Sequence, residues 1–174
     1  MGELRPEDEE FILRTTRQLL EDLDRSVPPA ATAPDGGRRV LVLGFPACDE
    51  ADEVALLMLR HLCRAQSHDV RLHGSGDLAS GMITLVQHER PDLVFVSALA
   101  PGGLAQARYL CQRLHAQFPT LRIMVGRWGH RRDPRKSRKF LLHAGADRVV
   151  TTIREARAQL TRLTRTAVRL QETT

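Results

Sequence analysis

Between residues 38 and 152 the apolar positions change period in a regular order. Continuous apolar runs suited to strands buried on both faces occupy 39–44 (RVLVLG), 92–99 (DLVFVSAL) and 121–126 (LRIMVG). Segment 69–74 (DVRLHG) alternates as a strand at a sheet edge does, and 147–151 (DRVVT) reads as a short fifth strand. Between these lie helical spacings at 50–66, 78–90, 102–118 (closed by Pro119) and 134–145 (closed by Gly145). Five strands alternating with helices predict right-handed crossovers and a parallel sheet. The expected class is α/β, flavodoxin-like, with strand order 2-1-3-4-5. Ligands on such sheets sit beyond the carboxyl ends of the strands, near the switch between strands 1 and 3. In this chain that edge is built from residues 45–51, 97–103 and 126–133.

Two helices flank the alternating region. Residues 7–25 place Ile12, Thr16, Leu19 and Leu23 at helical spacing, with acids in the first turn. The prolines and glycines of SVPPAATAPDGGRR then break every pattern. Ile153, Ala156, Leu160, Leu163, Ala167 and Leu170 form a heptad-like seam among arginines, which either packs on its own domain or makes a coiled-coil contact. The expected organisation is an amphipathic helix at 1–26, a linker at 27–37, an α/β domain at 38–152 and an Arg-rich helix at 153–174.

Composition narrows the class. No run of about 18 apolar residues exists to span a bilayer. The acidic N-terminus lacks the pattern of a secretory signal. Cys48, Cys63 and Cys111 are few and unpatterned, which suits reduced thiols and a cytoplasmic setting. The net charge of +5 is unevenly spread: residues 1–24 hold eight acids and three arginines, residues 122–139 eight Lys/Arg and one Asp. Opposite charge on the first and last helices favours their pairing, within one chain or as a homodimer through 7–25 and 153–170.

The candidate chemistry lies at the strand ends. Asp49, Glu50, Asp52 and Glu53 follow strand 1 closely. Their ordinary reading is a helix start, with Asp49 as cap and the others complementing the dipole. A phosphoacceptor receiver domain has a similar acidic loop, but it needs an Asp ending strand 3, a Ser/Thr after strand 4 and a Lys after strand 5. Those places hold Ser97, Gly126 and Thr151/Thr152. Cys48 sits before a helix N-terminus among acids that oppose a thiolate, so it reads as a small inert residue.

Taken together, the edge loops resemble the cobalamin-binding (vitamin B12-binding) domain family. That family carries D-x-H-x-x-G after strand 1, S-x-L after strand 3 and a G-G pair after strand 4. Here S-x-L is intact as Ser97-Ala98-Leu99, and Gly126 of VGRWG matches the first glycine, with Arg127 in the second place and Gly129 late. Aligned without gaps, the first motif becomes Asp49-Glu50-Ala51-Asp52-Glu53-Val54. The resemblance implies a ligand edge built from Asp49, Ser97, Leu99, Gly126, Arg127, Trp128 and Gly129. It also implies that a histidine would ligate cobalt from position 51. Alanine cannot, and Asp49 has no imidazole to orient. Val54 in place of glycine narrows the slot through which a nucleotide tail would thread. Base-off cobalamin binding is therefore not expected, while base-on binding, haem or another flat ligand stays open. FILRTTRQLLEDL, the linker, PACDEADEVALLML, SALAPGGLAQARYLCQRL and VGRWG together resemble the degenerate soluble tail of autoinducer-exporter-type bacterial permeases, which implies a membrane-protein partner.

Arg127, Arg131, Arg132, Arg135, Lys136, Arg138 and Lys139 cluster at the same edge as a candidate clamp for an anionic ligand or nucleic acid. No nucleophile–base pair or metal cluster is evident, so a non-catalytic module for ligand sensing or protein association is expected. Its alternatives are a corrinoid or haem sensor and a nucleic-acid-binding regulator.

Overall fold

A computed structural model describes residues 5–26, 39–64, 68–74, 79–129 and 134–171. Five parallel strands, β1 (Val40–Pro46), β2 (His68–Leu72), β3 (Leu93–Leu99), β4 (Arg122–Trp128) and β5 (Arg148–Val150), form one sheet in the order β2-β1-β3-β4-β5. This is the expected flavodoxin-like arrangement. Among the described residues the helices are α1 (Pro6–Ser26), α2 (Glu50–Cys63), α3 (Ala79–Glu89), α4 (Leu104–Gln117), α5 (Pro134–His143) and α6 (Ile153–Gln171).

Strand alternation divides the core in two. Leu43, Phe45, Val94, Val96, Ile123 and Val125 point to one face, where Met82, Ala107, Leu110, Leu114 and Leu141 of α3, α4 and α5 cover them. Val42, Leu93, Phe95 and Met124 point to the other, beneath Leu56 and Leu59 of α2 and Ala156 and Leu160 of α6. Both faces are covered, which is why the strands read as unbroken apolar runs. At the amino edge Asp92 Oδ2 accepts from Leu41 N (2.8 Å) and Asp147 Oδ2 from Ile123 N (2.6 Å), so side chains stand in where the ladder ends.

The first part of the α6 seam is spent on its own domain: Ala156 and Leu160 are fully buried, with Ile153 and Leu163 packed beside them. Among the described residues, α1 is tied to α2 and its C-cap Arg64 by ion pairs. Arg17 bridges Glu50 (3.1 Å) and Glu53 (2.7 Å), while Asp24 meets Arg60, His61 and Arg64 at 2.8–2.9 Å. Spacing of three and four residues puts Leu13, Arg17, Leu20 and Asp24 on this docking side. The stripe of Ile12, Leu19 and Leu23 therefore faces outward, 46–58% exposed. The half-buried Leu13 and Leu20 and the ion pairs of Arg17 and Asp24 attach this helix. The linker at 27–37 lies outside the described residues.

Candidate functional site

β4 is longer than its apolar run. Expected to end at Gly126, it continues through Arg127 and Trp128, paired with Ala98 and Leu99 of β3. Being in a strand, these two side chains point to opposite faces, and each is buried.

Trp128 turns toward the α2/α6 face. It is 5% exposed, stacks on Phe95 with ring centroids 6.0 Å apart, and donates from Nε1 to Ser97 Oγ at 2.8 Å. Its ring lies across Gly126, where an added Cβ would come 2.0 Å from Trp128 Cζ2. Only a residue without a side chain lets the indole lie against the sheet there. The switch region is tight elsewhere too: a Cβ on Gly44 would meet Leu72 Cδ2 at 2.7 Å and Leu56 Cδ2 at 3.2 Å.

Arg127 turns toward the α4 face and is 2% exposed. Its Nη1 donates to the carbonyls of Leu99 (2.8 Å), Gly102 (2.6 Å) and Ala98 (3.2 Å), and Nη2 donates to that of Pro101 (3.2 Å). The guanidinium thus gathers the β3–α4 loop, which includes a cis Ala100–Pro101 peptide. Burial holds its pKa below the usual arginine range, opposed by the charges of Asp52 and Cys48.

The four carboxylates after β1 divide their work. Asp49 caps α2, its Oδ1 accepting from Asp52 N at 3.2 Å. Glu50 and Glu53 hold Arg17 of α1. Asp52, 1% exposed, accepts from Cys48 N (2.9 Å) and from Leu99 N (2.5 Å), so one carboxylate joins the β1–α2 loop to the end of β3. Burial raises its pKa against the lowering effect of those two backbone donors. Nothing in the spacing of acids distinguished this brace from its neighbours. Among the described residues no group of three or more His, Cys, Asp or Glu could hold a metal ion.

The sheet register puts Pro46, Ser97, Gly126 and Val150 in one row at the carboxyl edge. Of the seven residues expected to line a ligand, Ser97, Gly126 and Trp128 come together, but with one another. Arg127 faces inward on the opposite side. Asp49, Leu99 (36% exposed) and Gly129 (φ 67°) stay on the rim. In the basic cluster Arg135, Lys136, Arg138 and Lys139 are exposed on α5, while Arg131 and Arg132 lie outside the described residues. The imidazole of His73, just past β2, stacks on Phe45 at 5.2 Å. Cys63 and Cys111 are buried thiols pushed up to about 11 and about 12, both chiefly by burial.

The chain matches no protein-family model and no curated protein. Among solved structures it is similar to a cobalamin-binding protein from Desulfitobacterium hafniense, with 16% identity and a TM-score of 0.59 over 71% of this chain and 58% of that one. It is also similar to the signal receiver domain of an HD domain-containing protein from Pseudomonas fluorescens, with 20% identity and a TM-score of 0.55 over 79% of this chain and 100% of that one. The chain thus spans little more than half of the first relative's length. At these identities the likeness shows architecture alone: a flavodoxin-like sheet of the kind found in cobalamin-binding and receiver domains.

Proposed function

We propose that this chain is a non-catalytic module on a cobalamin-binding-domain-like fold whose ligand slot is filled by its own tryptophan, and that it acts by protein association. The observation that carries this reading is the seat of Trp128. The indole lies between the sheet and the α2/α6 layer, against Gly126 and hydrogen-bonded to Ser97. Those are two of the positions from which the resemblance builds its ligand edge. Val54 is buried where the family has glycine, and Ala51 supplies no nitrogen to cobalt. The same row argues against phosphoacceptor chemistry, since the β3 end carries Ser97 rather than a carboxylate.

Trp128 is the sole tryptophan, so it reports on its own slot. Titration of the protein with hydroxocobalamin, and separately with haem, should leave the visible spectrum of each chromophore unchanged. Trp128 emission should stay blue-shifted and, after inner-filter correction, unquenched. Stoichiometric binding with a shifted visible band would overturn the proposal in favour of a corrinoid or haem sensor.

A further inference from the structure

Two surfaces of this molecule are uncovered in complementary ways. The outer side of α1 exposes Phe11 (59%), Ile12 (46%), Leu19 (58%) and Leu23 (47%), bordered by the exposed acids Asp8 and Glu9. Nothing on α1 is buried. On the other side of the sheet a groove of about 490 Å³ runs between α4 and α5, lined by Arg108, Lys136, Lys139, Phe140 and His143, mostly through apolar atoms. Phe140 is one of its walls, 43% exposed, with the Arg108 guanidinium 5.7 Å from the ring centroid. One surface is an acidic helix with an apolar stripe, and the other a basic groove with an aromatic wall.

We propose that the α4–α5 groove receives the outer face of α1 from a second copy of this chain. Charge selects this pairing over α1 against α1, which would bring like-charged acids together, and over groove against groove, which would oppose lysines and arginines. The two surfaces cannot meet within one molecule, because α1 rides on α2 while α4 and α5 cover the opposite face of the sheet. The contact is therefore heterologous: each copy offers one helix and one groove, and association continues head to tail unless the rotation closes a ring. Aromatic and aliphatic anchors at the centre with charges on the rim match the usual anatomy of such interfaces. This names the surface for the association role proposed above and rests on that reading, but on different residues. Failure of the slot reading, a bound chromophore, is thus read separately from failure of this one.

Sedimentation velocity on the whole chain tests it. Average mass should rise with protein concentration past the dimer, and the association should weaken from about 0.05 M to about 0.5 M salt as rim charges are screened. Leu19→Glu and Phe140→Glu should each weaken self-association roughly thirtyfold or more, with circular dichroism confirming an unchanged fold. Mixed together, the two variants should recover one good contact, intact α1 against intact groove, and stop at a 1:1 dimer. A chain that stays monomeric at every concentration overturns the proposal. So does a Phe140→Glu variant that associates like the parent, which would mean that α1 pairs with α1.

Discussion

The Trp128 indole donates to Ser97 Oγ at 2.8 Å from a neighbouring strand, and in doing so fills the space above Gly126. Trp128→Ala should cost about 3–5 kcal/mol by leaving an unfilled cavity. Trp128→Phe should cost less, about 1–3 kcal/mol, since it keeps much of the packing but leaves the Ser97 hydroxyl without its donor. Gly126→Ala should destabilise strongly in the parent and much less in a Trp128→Leu background, where the clashing ring is gone. A double-mutant cycle in urea reads that coupling directly. Additive costs would show that the indole does not rest on Gly126.

Asp52 should matter more to stability than the three acids around it. Asp52→Ala leaves two partly buried amides, Cys48 N and Leu99 N, without their acceptor and should cost about 1–3 kcal/mol in urea unfolding. Asp52→Asn keeps one acceptor oxygen and should fall between parent and alanine. The matching changes at the exposed Glu50 should stay within about 1 kcal/mol.

Attachment of α1 should be sensitive to salt and acid. Its Arg17 and Asp24 contacts are partly exposed ion pairs, each worth about 1 kcal/mol or less. Burial by itself would raise the pKa of Asp24, but the hydrogen bond from His61 and the charges of Arg60 and Arg64 outweigh it and lower it below 3.8. The stability from this group is present above pH 3.8 and is lost as pH falls through the lower folded value. Amide exchange across 6–26 should speed up in high salt and in Asp24→Asn, while β3 stays protected. Equal protection of α1 under all three conditions would contradict this attachment.

His68 gives a second pH dependence in a different window. It is 6% exposed at the start of β2, and burial lowers its pKa below 6.5 against a hydrogen bond to the Leu160 backbone. Asp24, Arg39, Arg60, Cys63, Arg64 and Asp69 line the cavity beside it. A buried neutral imidazole stabilises the fold above pH 6.5, and that contribution is lost as pH falls from 6.5 through the folded value. Urea midpoints should therefore decline below pH 6.5, and His68→Phe should flatten the decline.

The sheet, its strand order and its two-sided core were legible because apolar runs of strand length separated by amphipathic helices leave few topologies open. Asp49 as the α2 cap was legible too, since capping is local. Which side of α1 docks was not: its contact is made by Arg17 and Asp24, whose partners lie more than 30 residues away on α2. The sequence by itself determined the alternation of elements and placed Ser97, Gly126 and Trp128 near one edge, because periodicity and turn residues act over a few positions. Only the tertiary structure decided that β4 runs two residues past its apolar run. That extension sends Trp128 into the slot and Arg127 into the β3–α4 loop, because strand pairing with Ala98 and Leu99 sets where each side chain points.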